Sequence, residues 1–240
     1  MSKKITLYQA LKQSGLFSTK EQITTAANAG RITVDGVVTK ALQFQFAPTK
    51  RKVCVDGKEI SFQTKRYFVL NKPAGFSCQK NDSDPYVVKI LDLPLEVKNS
   101  LFPVGRLDVA TSGLLIITND GDFSAALTEP ERKVSKTYRI LLKQKITEKQ
   151  LEALQKGVVI SVENVKYQTL PAVVQKIDDI TITLSIVEGK NRQVRKMIEA
   201  VGNEVVELSR IAIGELQLGK LQEGLWREYN EELIKKMLIK

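Results

Sequence analysis

Apolar residues recur at helical spacing over the first part of the chain, and the pattern then changes to short alternating runs. Leu7 and Leu11 are four positions apart and therefore share one face of a first helix. Ser18 is a suitable N-cap for a second helix, with Glu21 three positions later, and Gly30 ends that helix. The pattern predicts two short helices before the first strands.

Two hairpins are predicted after these helices. Residues 31–38 and 53–60 each place an Asp-Gly pair between runs rich in β-branched residues. Asp-Gly is favoured in two-residue hairpin turns because both turn positions adopt positive φ angles there. We expect the helices and hairpins to form a small amino-terminal module over residues 1–61.

From residue 66 onward the pattern is typical of a larger sheet. Residues 67–70 form a short apolar run, and residues 114–117 form a continuous apolar run with the length of a buried strand. Tyr138, Ile140 and Leu142 alternate along the chain and share one face of a further strand. We expect these strands to belong to a second domain over residues 65–240.

The charge of the chain is strongly positive and unevenly distributed. The 240 residues include 37 lysines and arginines against 27 acidic residues, a formal net charge of +10. Residues 1–63 carry ten basic against four acidic residues, whereas residues 64–240 carry 27 against 23. Basic side chains neutralise phosphates and release counterions, so the excess favours a nucleic-acid partner, although many basic proteins bind none.

The absence of histidine excludes several chemistries. Ser-His and Cys-His nucleophile systems, imidazole bases and the commonest zinc ligands are ruled out. Cys54 and Cys78 lack metal-ligand spacing and are expected to be reduced thiols. We expect no metal and no cofactor. No apolar run has the length of a membrane span, so a cytoplasmic protein without membrane contact is expected.

The motif at residues 105–108, Gly-Arg-Leu-Asp, contains the strongest candidate for a catalytic group. It places the Asp108 carboxylate just before the predicted buried strand at residues 114–117. A rigid core strand can hold a short polar loop in a fixed position, as catalysis requires. On spacing alone, an aspartate that only caps the turn or pairs with Arg106 fits equally well.

Four blocks in the same order along the chain resemble the pseudouridine synthases, in particular the RsuA-type branch that modifies ribosomal RNA. The blocks are residues 71–75, 105–121, 136–138 and 188–197. The resemblance implies an α+β fold with a larger mixed, mainly antiparallel sheet that carries the active cleft. It also implies site-specific isomerisation of uridine to pseudouridine in ribosomal RNA, most closely in the small-subunit branch.

The resemblance implies a role for each residue of the pocket. Asp108 is the catalytic nucleophile or base, and Tyr138 stacks on the flipped base. Residues 194–201 are predicted to form a helix whose apolar stripe leaves Arg195 at its border, where it can pair with Asp108. Leu208 and Ile213 are expected in the pocket wall. Attack on the sugar to form a covalent adduct and proton removal to form a glycal both remain open.

The amino-terminal module resembles the alpha-L RNA-binding fold of ribosomal protein S-four. With the charges of the second domain, this resemblance gives nine candidate RNA contacts: Lys20, Arg31, Lys50, Arg51, Lys52, Lys72, Arg106, Arg192 and Lys196. For any single lysine of the module, an ordinary solvated surface position is an equally good interpretation.

Two other classes of protein are alternatives to this enzyme. One is a non-catalytic RNA-binding ribosome assembly factor, which the presence of Asp108, Tyr138 and Arg195 disfavours. The other is a different RNA enzyme such as a methyltransferase, for which the sequence has no glycine-rich nucleotide loop after a first strand. The expected partner is ribosomal RNA or an assembling ribosomal subunit, and the protein is expected to be a monomer.

Overall fold

The computed structural model of the protein describes residues 4–80 and 83–238. The chain divides into two compact units, of which the first comprises residues 1–65 and 91–102. The second comprises residues 66–90 and 103–240. The predicted domains, residues 1–61 and 65–240, differ from this division mainly at residues 91–102, which were assigned to the second domain and are part of the first unit.

The first unit combines three helices with short strands. Helices α1 and α2 and the four-stranded antiparallel sheet β3-β2-β5-β6 enclose a core that includes Leu7, Leu11, Ile23 and Ile32. The elements are β1 (Ile5–Thr6), α1 (Leu7–Ser14), α2 (Lys20–Asn28), β2 (Ile32–Val34), β3 (Val37–Val38), β4 (Gln45–Phe46), β5 (Val53–Val55), β6 (Lys58–Glu59) and α3 (Leu95–Ser100), with a 3₁₀ turn at Pro48–Lys50.

The predicted hairpins are confirmed. Strands β2 and β3 turn at Asp35 and Gly36, and β5 and β6 turn at Asp56 and Gly57, all four with positive φ angles. The predicted cap of α2 is wrong by one residue. The cap is Thr19, whose side chain accepts from the amide of Gln22 and whose own amide binds the Gln22 side chain.

Helix α3 has no counterpart among the elements predicted from the sequence. Residues 81 and 82 lie outside the described residues. The helix is only six residues long and begins after a proline without a side-chain cap, so its periodicity is weak. The chain passes close to it at Gly15, where an added Cβ atom would lie 1.9 Å from the carbonyl oxygen of Glu96. Only glycine fits this approach.

The second unit is built around a nine-stranded sheet. Its path is β13-β14-β10-β15-β9-β7-β17, with β8 beside β9 and β16 beside β15. The elements are β7 (Tyr67–Lys72), β8 (Phe102–Pro103), β9 (Ser112–Thr118), α4 (Gly121–Thr128), β10 (Lys136–Leu142), α5 (Glu148–Lys156), β11 (Val159–Val162), β12 (Val165–Gln168), β13 (Val173–Lys176), β14 (Thr181–Ile186), α6 (Gln193–Ala200), β15 (Val205–Ile213), β16 (Leu216–Gln217), β17 (Trp226–Tyr229) and α7 (Glu231–Leu238), with 3₁₀ turns at Val87–Ile90 and Pro130–Arg132.

The expected mixed, mainly antiparallel sheet is confirmed. On the main path only β9 and β15 run parallel, and they pair through Ser112 with Ser209 and Gly113 with Arg210. All other neighbours on that path are antiparallel. The buried strand predicted at 114–117 forms the centre of β9. Tyr138, the first of the predicted alternating residues of β10, is buried together with Ile140 and Leu142.

Helix α4 also has no counterpart among the elements predicted from the sequence. Asp120 is the N-cap of this helix, and its carboxylate accepts from the amides of Asp122 and Phe123. An aspartate beside a glycine is common to turns and helix starts, so the sequence pattern did not separate them. Among residues 4–80 and 83–238, no helix is long and apolar enough to cross a membrane.

Candidate active site

One cleft in the second unit brings together seven of the residues predicted for the site. It has a volume of about 920 Å³ and is formed by the loop before β9, by β10 and β15, and by the start of α6. The predicted residues that line it are Arg106, Asp108, Tyr138, Arg192, Arg195, Leu208 and Ile213. A volume of this size accommodates a nucleotide.

Asp108 lies in the turn that enters β9. The amide of Thr111 donates to the carbonyl oxygen of Asp108 at 3.0 Å and closes this turn. The side chain is half-buried. Within the described residues, no hydrogen bond or ion pair engages its carboxylate. The carboxylate therefore faces the cleft ready to interact with a ligand.

The buried ammonium group of Lys72 holds this turn in place. Its Nζ atom donates to the carbonyl oxygens of Pro73 at 2.9 Å, Val109 at 3.3 Å and Thr111 at 2.8 Å. Lys72 is fully buried, so the structure contradicts the prediction that it contacts RNA phosphate. Burial lowers the pKa of Lys72, and the negative charges of neighbouring groups, including Asp108, oppose that shift.

Tyr138 lies at the centre of β10, between β14 and β15. It is buried, with about 9% of its surface exposed, and its cross-strand neighbours are Leu184 and Arg210. Leu208 and Ile213 on β15 are also buried and line the same cleft. The cleft thus has an aromatic ring and two aliphatic side chains close to the carboxylate, which suits a planar base.

The Arg195 side chain contacts the backbone of the turn that contains Asp108. Its Nη2 atom donates to the carbonyl oxygen of Ala110 at 3.1 Å. The predicted direct ion pair with Asp108 is wrong: within the described residues, the two side chains form no ion pair within 4.0 Å. Burial lowers the pKa of Arg195, as does the nearby Arg192, while the charge of Asp108 acts in the opposite direction. Arg195 therefore influences Asp108 by its field and not by direct contact.

A hydrogen-bond cluster around Glu188 fixes the segment before α6. The carboxylate of Glu188 accepts from the Tyr167 hydroxyl at 2.6 Å, from the Leu170 amide at 3.0 Å and from the Gln193 side chain. The Lys190 ammonium lies 4.8 Å from the centre of the Tyr167 ring. All five residues contribute to the cleft wall.

Sequence reasoning missed the contribution of Tyr167. This residue lies on the hairpin β11–β12, which turns at Glu163 and Asn164 with positive φ angles. The alternation of residues 159–168 and the asparagine at the turn were the available signals.

Arg192 precedes α6 with a left-handed φ of 53° and is exposed, as a phosphate contact requires.

The remaining predicted cations are in varied surroundings. In the first unit, Arg31 forms an ion pair with Asp56, and Lys20 and Lys50 are exposed without an ion pair among the described residues. Lys196 lies on α6, is half-buried and is not part of the cleft lining.

The charges of Arg51 and Lys52 are partly neutralised by nearby carboxylates. Arg51 forms an ion pair with Asp35 at 2.5 Å, and Lys52 lies 3.2 Å from Glu59. Exposed pairs of this kind are weak and can exchange for a phosphate, but each exchange releases a carboxylate to water.

Comparison with known proteins identifies the class to which this fold and cleft belong. Residues 66–200 match the family described as RNA pseudouridylate synthase. The chain belongs to this family and is an RNA pseudouridine synthase. The family and the activity expected from the sequence are thus confirmed.

Individual relatives cover most of the chain. The ribosomal small subunit pseudouridine synthase A of Escherichia coli is 40% identical over 207 residues, which are 85% of this chain and 87% of the relative. An uncharacterised RNA pseudouridine synthase of Bacillus subtilis is 37% identical over 94% of this chain and 95% of its own length. A crystal structure of a pseudouridylate synthase superposes with a TM-score of 0.70 at 32% identity, covering 97% of this chain and 99% of that one.

Proposed function

We propose that this enzyme converts a specific uridine of small-subunit ribosomal RNA to pseudouridine, with Asp108 as the reacting carboxylate. The observation that carries the proposal is the Asp108 carboxylate, which lines the cleft beside Tyr138 and has no bonded partner among the described residues. The name of the Escherichia coli relative supports the choice of small-subunit RNA.

The target nucleotide must leave the base stack before it can react. Flipping a base costs a few kcal/mol, which stacking inside a pocket can offset. Tyr138 supplies the aromatic surface, with Leu208 and Ile213 next to it in the cleft. A base held there turns about its own axis without entering bulk water.

The reaction needs one group that acts on the sugar. The C1′–N1 bond breaks and its electron pair leaves with the base. In one route the Asp108 carboxylate attacks C1′, and in the other it removes the C2′ proton to give a glycal. The base then turns and C5 bonds to C1′, which breaks the Asp108–C1′ bond on the first route and is accompanied by return of the proton from Asp108 to C2′ on the second. The C5 proton then passes to solvent and N1 takes up a proton. Atoms and electrons balance on either route.

The basic residues of the cleft orient the RNA. Arg106 and Arg192 line the cleft and are exposed, so they suit the phosphates that flank the flipped nucleotide. Arg195 keeps a positive charge close to Asp108. Lys196 on the same helix is a further phosphate contact in this proposal.

The first unit acts in this proposal as an S-four-like RNA-binding module. Lys20 and Lys50 are its main contacts, and Arg31, Arg51 and Lys52 contribute once their carboxylate partners release them. The enzyme works as a monomer in the cytoplasm.

The test is release of tritium from C5 of labelled uridine in small-subunit and large-subunit ribosomal RNA transcripts. Wild type is expected to release tritium from the small-subunit transcript, and Asp108→Asn is expected to lose turnover by a factor of about 10⁴ or more while RNA affinity is unchanged. Asp179→Asn is the matched control, because Asp179 is an exposed partner of Lys145 outside the cleft.

Two outcomes contradict the proposal. Turnover by Asp108→Asn equal to that of wild type would remove Asp108 from the reaction. RNA binding by wild type without tritium release, from both transcripts and from partly assembled subunits, would favour the non-catalytic assembly factor.

A further inference from the structure

Three buried polar atoms lack a hydrogen-bond partner in the part of the chain that the structure describes. They are Thr111 Oγ1, Arg195 Nε and Arg210 Nη2. All three residues line the cleft that contains Asp108. Since buried polar groups are nearly always paired in folded proteins, three exceptions around one cavity indicate a group that the substrate supplies.

Arg210 is the more deeply buried of the two arginines among these three residues. Only 3% of its surface is exposed. Its Nε atom donates to the carbonyl oxygen of Leu114 at 2.8 Å, which fixes the guanidinium against β9. Nη2 makes no hydrogen bond within the described residues. One side of the guanidinium is therefore anchored while the other has a donor to offer.

The strand register places Arg210 next to the proposed stacking residue. Tyr138 on β10 lies directly opposite Arg210 on β15. The Cβ atoms of directly opposed residues in antiparallel strands are about 4.5–5.5 Å apart, and both side chains leave the same face of the sheet. A base that stacks on Tyr138 therefore lies within reach of the guanidinium.

No carboxylate in the described part of the chain forms an ion pair with this buried cation. A guanidinium remains protonated in any protein environment. The positive charge of Arg210 contributes to the lowered pKa of Lys136, which also lines the cleft, after the larger effect of burial. An unpaired buried charge is costly unless negative charge forms beside it.

We propose that Arg210 stabilises the uracil anion formed during the reaction, by donating a hydrogen bond from Nη2 to a carbonyl oxygen of the base. This inference rests on the proposed function. When the C1′–N1 bond breaks, its electron pair stays on the base and the negative charge spreads to O2 and O4. The charge disappears when C5 bonds to C1′, C5 loses its proton and N1 gains one. The contribution is the same on the covalent and glycal routes.

The experiment combines a protein change with a substrate change. A short RNA that contains the uridine mapped by tritium release is synthesised with uridine, 2-thiouridine or 4-thiouridine at that position. Single-turnover rates at saturating enzyme are measured for wild type, Arg210→Gln and Arg210→Lys, with product nucleosides separated by chromatography. Arg66→Lys is the matched control, because Arg66 pairs with Glu228 in the same unit outside the cleft.

Arg210→Gln is expected to slow conversion of uridine about a hundredfold, as loss of a donor to a developing anion does elsewhere, while RNA affinity is unchanged. Sulfur accepts hydrogen bonds poorly. Replacing the carbonyl oxygen that binds Arg210, either O2 or O4, by sulfur is therefore expected to slow conversion by the wild-type enzyme. The same substitution has little further effect on Arg210→Gln, because the contact is already lost. Arg210→Lys keeps the charge and should recover part of the rate.

The outcomes separate this inference from the proposed function. The role of Arg210 would be overturned, while the function stands, if thio substitution slowed Arg210→Gln as much as it slows wild type. Conversion of uridine by Arg210→Gln at the wild-type rate would overturn it as well. Where Arg210→Gln does not fold, Arg210→Lys is put through the same comparison with the same criterion. Absence of pseudouridine with wild type in every ribosomal RNA would overturn the proposed function itself, and this inference with it.

Discussion

Lys72 carries a buried positive charge whose hydrogen bonds all end on backbone carbonyls, those of Val109 and Thr111 in the turn after Asp108 and that of Pro73. Burial lowers its pKa below the ordinary 10.5, so between the lowered pKa and 10.5 the folded state binds fewer protons than the unfolded state. The free energy of unfolding therefore rises with pH in this window as far as Lys72 contributes. The cost of burying the charge is present below the window and is relieved as pH increases.

We expect Lys72→Met to remove this contribution and to leave the carbonyl oxygens of Pro73 and Thr111 without a donor, whereas that of Val109 still accepts from the Gly75 amide. The free energy of unfolding should fall by about 2–4 kcal/mol at neutral pH, measured by urea denaturation. The difference in the free energy of unfolding between wild type and Lys72→Met should widen as pH approaches 10.5. Lys145→Met, at an exposed ion pair with Asp179, serves as the control. A difference that stays constant with pH would contradict the assigned pKa direction.

Single residues of the site could be predicted by type and position but not by contact. The family resemblance implied that Asp108, Tyr138 and Arg195 line one cleft, and the structure brings them together. It did not predict that Arg195 binds the Ala110 carbonyl, since backbone acceptors leave no trace in a sequence pattern. The lysine at position 72 was misassigned for the same reason.

The close pairing of β9 with β15 depends on Gly113. Its φ angle is +106°, and an added Cβ atom would lie 2.3 Å from the carbonyl oxygen of Arg210 and 2.8 Å from Ser209 Oγ. Gly113→Ala is expected to lower the free energy of unfolding by about 3 kcal/mol or more, because backbone strain and overpacking add. Urea denaturation measures the change.

Gly121→Ala is the matched control for this substitution. Gly121 begins α4, and an added Cβ atom there has no neighbour within 4 Å. Stability close to that of wild type is expected at this position, since alanine favours a helix. If Gly113→Ala were as stable as Gly121→Ala, the two parallel strands could not approach as closely as described.

Elements with a long or strict pattern could be predicted, and short or non-local ones could not. The run at 114–117 and the alternation at 138–142 gave β9 and β10 because burial on the sheet imposes those patterns. Helix α3 has only six residues, too few to show a period. The Tyr167–Glu188 contact joins residues 21 positions apart, and pairing at that distance depends on tertiary packing.

At the scale of the whole molecule, the sequence predicted a concentration of positive charge in the first quarter of the chain. The structure shows that this charge is partly offset locally, as Arg31 with Asp56 and Arg51 with Asp35 illustrate. Net charge counted along a sequence does not reveal such pairs. It likewise did not reveal that residues 91–102 return to the first unit, because chain order alone carries no information on that packing.

The salt dependence of RNA binding tests which cations of the first unit contact phosphate. Each lost phosphate contact lowers the slope of log K against log salt by about 1. Lys20→Gln with Lys50→Gln should therefore lower the slope by about 2, measured by filter binding to the small-subunit transcript. Arg31→Gln with Arg51→Gln should lower it less, because these arginines must first leave their carboxylate partners.

A control with the same charge change decides between local contact and overall charge. Lys145→Gln with Lys149→Gln removes two exposed cations from the second unit outside the cleft. If only the field of the whole molecule attracts RNA, this pair and the pair at Lys20 and Lys50 change the slope equally. A smaller change at Lys145 and Lys149 means that the first unit binds phosphates directly, as an RNA-binding module must.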